Sequence, residues 1–179
     1  FYGVYACDKK PFYIPVGSAI TSYARNFTIR AAQKNYEHFI YADTDSIHCN
    51  CNPDEIKGIT VHDKNFLCWK LESCWDTGLI VRQKTYIERI TAENLKPIDK
   101  PFYNVKCAGM PEQCKTLFLK SIGADVDISE LNMNDDAKEF LKKKRTIKDF
   151  KTGLCVPLKL RPVQINGGVV LTETFYTMT

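Results

Sequence analysis

The chain has 179 residues, 44% of them hydrophobic, and a formal charge of +4, which is enough to bury the core of one domain or of two small ones sharing an interface. It shows no apolar run approaching the ~18 residues of a membrane span and no charged-then-apolar leader with a cleavage site, so a soluble cytoplasmic protein is expected. Its eight cysteines contain no C-x-x-C pair, and buried free thiols are expected ahead of zinc ligands or adventitious disulfides.

Phe1 to Tyr5 reads as an apolar strand and Phe12-Tyr13-Ile14 as a second, with Asp8-Lys9-Lys10-Pro11 turning between them. With no methionine at the start, an excised or truncated segment of a larger protein is expected. From Ser18 to about Tyr36 the pattern is helical: Ile20, Tyr23, Ala24, Phe27 and Ala31 recur at helical spacing, and Ser18 is a suitable N-cap. This helix is expected to bury that face and to solvate Arg25, Arg30 and Lys34 on the other.

The stretch Tyr41-Ala42-Asp43-Thr44-Asp45-Ser46 follows, between two short apolar runs expected to pair as largely buried strands. On an extended chain, Asp43 and Asp45 would point to one side and Thr44 to the other. Two carboxylates with no base beside them repel, and a divalent cation relieves that repulsion. Mg²⁺ favours one or two carboxylates completed by waters and phosphate oxygens. A bare D-x-D is also compatible with a solvated turn or with a sugar-nucleotide transferase, although no alternating strand and helix run supplies the nucleotide-binding half of the latter.

Ile47 to Cys51 completes the hairpin, residues 54 to 65 are a polar connection, and Leu67 to Glu72 alternates like a strand. Gly78 then opens a long strand, Leu79 to Ile90, on which Arg82, Lys84, Tyr86 and Glu88 would share a polar face. Such a cation and phenol side by side can hold nucleic-acid sugar and phosphate without reading sequence. Ala92 to Pro101 reads as a loop and Phe102 to Cys107 as the returning partner strand. Pro111-Glu112-Gln113 opens a helix. Residues 125 to 136 are acidic and read as a solvated face rather than a calcium loop.

Residues 138 to 161 hold nine Lys or Arg, including Lys142, Lys143, Lys144, Arg145, Lys159 and Arg161, against Glu139 and Asp149. A charge block is most often a solvated helix face. Here Lys159 and Arg161 continue it onto a strand, alternating with Leu158 and Leu160, which makes an electrostatic footprint for phosphate. Asn166-Gly167-Gly168 closes a hairpin, with Asn and Gly filling the positive-φ positions.

The six residues from Tyr41, then Arg82-Gln83-Lys84-Thr85-Tyr86, Val105-Lys106-Cys107-Ala108-Gly109-Met110 and Pro162 to Leu171 together resemble the family B DNA polymerases, in the branch of protein-primed bacteriophage enzymes. The resemblance spans residues 12 to 179, with a poorly matching interval near 115 to 145. It implies an α+β fold. Residues 1–110 would be part of a palm, an antiparallel sheet with a packing helix and the motif C hairpin, and residues 1–14 a remnant of an inserted hairpin. Residues 111–179 would be a small thumb with a β-hairpin and short helices.

It further implies DNA-directed DNA synthesis in a bacterial cell, with Asp43 and Asp45 as catalytic and metal-binding acids and Mg²⁺ or Mn²⁺ as the metal. Thr44, Arg82, Lys84 and Tyr86 would meet the primer, and the basic block would grip the duplex. The implied partners are primer-template DNA, a deoxynucleoside triphosphate, a terminal protein primer and the remainder of a polymerase chain. The upstream aspartate motif and the fingers lysine motif of the family are both missing from this sequence. The two-metal site is therefore incomplete, and the chain is expected to make no DNA by itself. DNA binding without catalysis is the alternative.

Overall fold

The computed structural model describes residues 13–131 and 133–179, without the side chains of Lys159, Leu160, Arg161 and Glu173. The expected strand pair at residues 1–14 lies outside the described residues up to Phe12. The chain divides into two compact units, Phe1–Leu71 and Glu72–Thr179.

The first unit is built on α1 (Ile14–Lys34) and a hairpin of β1 (Phe39–Asp43) and β2 (Ser46–Cys49). The helix starts earlier than expected. Tyr13 is its extended N-cap and a proline lies in its first two positions, where the missing N–H has no intrahelical partner to lose. Tyr13 and Ile14 are thus not strand residues. Ser18 is inside the helix, its carbonyl accepting the hydroxyls of Thr21 and Ser22 at 2.9 and 2.8 Å. Of the expected stripe only Ala31 is fully buried. Gly17, Thr28 and Ala31 are buried, whereas Tyr23 is 76% exposed and Phe27 44%. Thr28 is the buried residue that meets the hairpin, through the Thr44 carbonyl, while Tyr23 and Phe27 lie on the helix surface.

Buried Asn35 ends the helix and ties it to the following loop. Its Nδ2 donates to the carbonyls of Ala31 (2.8 Å) and Lys57 (3.0 Å), and its Oδ1 accepts the Lys57 N–H at 2.8 Å. Residues 67 to 72 do not form the expected strand. Only an isolated parallel bridge joins Trp69 to Val61, and the Trp69 ring stacks on Phe27 with centroids 5.3 Å apart. Among the described residues no helix is long and apolar enough to cross a membrane.

The second unit begins with an antiparallel meander: β3 (Ser73–Arg82), β4 (Thr85–Glu93) and β5 (Lys96–Cys107), in that order. The predicted single strand from Leu79 to Ile90 is therefore two strands. A turn at Gln83-Lys84 breaks it, with Lys84 at φ +56°. The predicted loop from Ala92 to Pro101 is mostly strand, reversed at Asn94 and Leu95, both with positive φ, as the tight mirror-image hairpin turn requires.

Then come α2 (Glu112–Ser121), α3 (Asp135–Lys142) and the hairpin of β6 (Cys155–Ile165) and β7 (Gly168–Thr177). Pro111 caps α2. Asn134 caps α3 by accepting the Ala137 N–H at 2.8 Å, which puts Asp135 and Asp136 in the first turn, where carboxylates suit the helix dipole. The turn between β6 and β7 takes positive φ at Gly167 (+104°) and Gly168 (+156°), and not at Asn166, which was expected to share those positions.

One core unites these pieces. Ile87, Val105 and Cys107 of the meander pack with Leu117 and Phe118 of α2, Phe140 of α3, and Phe150, Val156, Tyr176 and Met178. The meander buries its apolar face against the elements that follow it. The seven described cysteines are free, but only Cys107 and Cys114 are fully buried.

Buried Tyr176 lies 3.1 Å from Cys107 Sγ, and its phenol is pushed up to about 12 by burial and then by the Cys107 contact. Between pH 10 and 12 the unfolded chain loses this proton while the folded chain keeps it, so stability falls as pH rises through that window. Tyr176→Phe is expected to flatten that part of the alkaline denaturation profile. An unchanged slope in chemical-denaturation midpoints above pH 10 would contradict it.

Candidate functional site

The hairpin of β1 and β2 pairs Tyr41 with His48, Ala42 with Ile47 and Asp43 with Ser46, leaving Thr44 and Asp45 as a two-residue turn. Thr44 takes φ +43°, so the three residues are not an extended run. Asp43 holds the last strand position and Asp45 lies on the exposed turn, so the two acids are placed by a reversal of the chain rather than by the alternation of one strand. The strands are also only half-buried, with Ile40 40% exposed. The site is open.

Each polar group around Asp43 has a defined place. The Thr44 hydroxyl donates to Asp43 Oδ1 at 3.0 Å, and the Tyr41 hydroxyl lies 3.5 Å from Oδ2. Tyr41 and Asp43 are two apart on one strand and therefore share a face. The Ser46 hydroxyl donates to the Asp43 carbonyl at 3.0 Å, closing the turn. Helix α1 holds the turn from below: buried Thr28 donates its hydroxyl to the Thr44 carbonyl at 2.9 Å. Thr44, expected to face away, is instead bound to both the acid and the helix. Across the strands the Tyr41 and His48 rings lie 5.3 Å apart, tilted by 56°.

Two carboxylates at one turn suit a hard divalent cation that completes its shell with waters and phosphate oxygens. They are too few for a pair of such ions. Among the described residues no group of three His, Cys, Asp or Glu is placed to hold a metal.

The second unit carries the remaining predicted residues. Arg82 ends β3 opposite Thr85, and its Nε donates to the Thr179 carbonyl at 2.7 Å. Lys84 is on the turn, and its carbonyl accepts the Ala108 N–H at 3.0 Å. Tyr86 pairs with Ile80 on one side and Lys106 on the other. Residues opposite one another on a ladder share a face. Tyr86 goes with Lys106 on one face, whereas Arg82 lies exposed beyond a register shift and Lys84 on the turn at positive φ, so the expected common strand face for Arg82, Lys84, Tyr86 and Glu88 is not formed. Glu88, on the Tyr86 face, is 2% exposed and so is no part of a polar surface. Lys106, within the Val105 to Met110 motif, stands opposite Tyr86, twenty positions away in sequence, a pairing that only the strand register reveals.

The basic run divides. Lys142, Lys143 and Lys144 are exposed. Arg145 is engaged internally: its guanidinium lies 3.6 Å over the Phe140 ring and donates to the carbonyls of Phe140 and Lys143. Partial burial pushes its pKa down, countered by Asp149. Lys159 and Arg161 lie on β6, as expected, beyond a bulge at which Leu158 takes φ +80°.

No protein-family model matches the chain. It is similar to the DNA polymerases of Bacillus phage B103 (36% identity over 181 residues) and Bacillus phage phi29 (35% over 184 residues), covering 95% of this chain and 27% of each relative. The DNA polymerase of Streptococcus phage Cp-1 is 29% identical over 169 residues. Among solved structures, phi29 DNA polymerase complexed with primer-template DNA superposes with a TM-score of 0.67 at 35% identity, over 94% of this chain and 27% of that one. The ternary complex with primer-template DNA and incoming nucleotide substrates gives 0.66. The chain thus spans about a quarter of the length of the relatives it matches.

Proposed function

We propose that this chain is the palm and thumb portion of a phage-type, family B DNA polymerase, contributing two metal-binding carboxylates and a DNA grip to nucleotidyl transfer. The observation that carries the reading is the Asp43 and Asp45 turn, held by Thr28 of α1, in a chain similar to phage DNA polymerases over 95% of its length. Bound divalent cations would activate the primer 3′ hydroxyl and clamp the incoming triphosphate. Asp43 and Asp45 would hold them. The Thr44 and Tyr41 hydroxyls fix the direction in which the Asp43 oxygens point. An acid from elsewhere in a complete polymerase would finish the pair, so the chain alone makes no DNA. Tyr86, Lys84 and Arg82 would meet the primer, and Lys142 to Lys144 with Lys159 and Arg161 the duplex, as contacts that position without reading sequence. Arg145 would serve by shaping that surface. In the complete enzyme the partners are primer-template DNA, a deoxynucleoside triphosphate and a terminal protein primer.

The test is the affinity of this chain for a primer-template duplex as a function of salt. Each neutralised phosphate contributes about −0.9 to the slope of log K against log salt. A slope of about −3 or steeper, made shallower by neutralising Lys142 to Lys144, is expected. Absence of binding at low salt would overturn the grip.

A further inference from the structure

We propose that the groove beside the C-terminal half of α1 is a second nucleotide site, taking one base on the stacked rings of Phe27 and Trp69 and its phosphate on Arg30 and Lys34. The inference goes beyond the reading above. None of these four residues belongs to the acid turn or to the DNA grip.

The groove lies wholly within the first unit and has a volume of about 270 Å³. Sites for drug-sized ligands hold roughly 300–1,000 Å³, so this one suits a single small unit rather than a peptide or a duplex. One wall is α1. Phe27, Arg30 and Lys34, spaced by three and then four residues, fall on one helix face. Thr28, which meets the acid turn through the Thr44 carbonyl, is the next position after Phe27 and so faces another way. The groove is therefore separate from the acid turn.

The other wall runs from Gly58 to Trp69 and includes Leu67. Trp69 is anchored through its backbone: its N–H donates to the Thr60 carbonyl and its carbonyl accepts the His62 N–H, both at 2.8 Å. The indole is thereby held against Phe27, with centroids 5.3 Å apart and planes within 9°. Phe27 remains 44% exposed, so a base would extend a stack that already exists. Such stacking accepts any base, because each has a π-face.

The charge in the groove is positive and uncompensated. Among the described residues neither Arg30 nor Lys34 forms an ion pair. Arg30 Nε donates to Asn26 Oδ1 at 3.1 Å, which steadies the guanidinium and leaves its terminal nitrogens for a phosphate fork. Lys34 crosses the backbone at Gly58, where a Cβ would collide with its stem and lie 2.8 Å from its ammonium. The absence of a side chain at Gly58 lets this cation lie across the groove.

Trp69 supplies the readout. The chain has two tryptophans, and Trp75→Phe leaves Trp69 as the sole indole. Its fluorescence in the full chain is titrated, without divalent cation so that the acid turn takes no part, with deoxyadenosine 5′-monophosphate, deoxyadenosine, inorganic phosphate and a single-stranded deoxyadenosine octamer. Saturable quenching by the monophosphate is expected, with deoxyadenosine bound about tenfold more weakly and phosphate alone giving no quench. Arg30→Gln and Lys34→Gln should each weaken binding about tenfold, the scale of one charge-assisted hydrogen bond. Gly58→Ala, which keeps every charge and displaces Lys34, should weaken it as well. Arg25→Gln, the same charge change on a different side of α1, should leave it unchanged. An octamer bound more than about tenfold tighter than the monophosphate identifies a single strand as the source of the nucleotide; one bound equally or less tightly identifies a free nucleotide. Absence of quenching, or quenching that both Gln variants leave intact, overturns the proposal and spares the duplex-binding reading, which its own salt titration tests. Unchanged circular dichroism shows that the variants are folded.

Discussion

Asp45→Asn, placed in a complete polymerase carrying this chain, is expected to lower nucleotide incorporation by at least about 10²–10³-fold, the scale on which removal of one electrostatic stabiliser of a transition state acts. The substitution is nearly isosteric and sits on an exposed turn, so the hairpin survives it. The turn's own bonds run through the Thr44 carbonyl, the Asp43 carbonyl and the Asp43 carboxylate, none of which the change removes. What disappears is a negative charge that a divalent cation needs. Duplex affinity and its salt slope should remain near wild type, because the grip residues lie in the second unit. Incorporation within tenfold of wild type would end the metal assignment. A parallel loss of DNA binding would show instead that the turn had a structural part to play.

Phe118→Ala is expected to have the largest effect on stability. The side chain is fully buried and its ring centroid is 5.5 Å from that of Phe150. Truncating such a residue removes its transfer free energy and leaves a cavity, together about 3–5 kcal/mol. That is a large fraction of the total stability of a typical domain, about 5–15 kcal/mol. Because α2 joins the meander to β6 through this core, the loss should appear as a lower urea midpoint for the whole second unit rather than as local fraying. A change under about 1 kcal/mol would mean that α2 is not docked as described.

Much of the fold was legible from local signals. The reversal at Asn166-Gly167, the helix after Pro111 and the pairing around Asp43 and Asp45 each rest on short-range chemistry: a residue suited to positive φ, a proline that loses no hydrogen bond, two apolar runs separated by a turn. Errors came where a local pattern permits two structures. The alternation from Leu79 to Ile90 fits one strand as well as two, since a two-residue turn at Gln83-Lys84 preserves an even period while reversing the chain. The helical stripe of Ile20, Tyr23, Ala24, Phe27 and Ala31 is a sound amphipathic pattern, but of these only Ala31 is fully buried, beside Gly17 and Thr28, which lie outside the stripe. Periodicity says that a face exists and not what covers it.

The sequence by itself determined the identity of the acids, the sign of the charge between 138 and 161 and the order of the motifs, because these are properties of side chains and their spacing. Tertiary structure alone decided that Arg145 is spent on Phe140 rather than offered to solvent, that Thr28 holds the Thr44 carbonyl, and that Lys106 rather than Lys84 stands opposite Tyr86. The physical reason is common to all three. Each depends on which strand or turn lies beside which, and that register is set by burying the apolar face of the meander or by closing a helix onto a hairpin, choices made by residues distant in sequence.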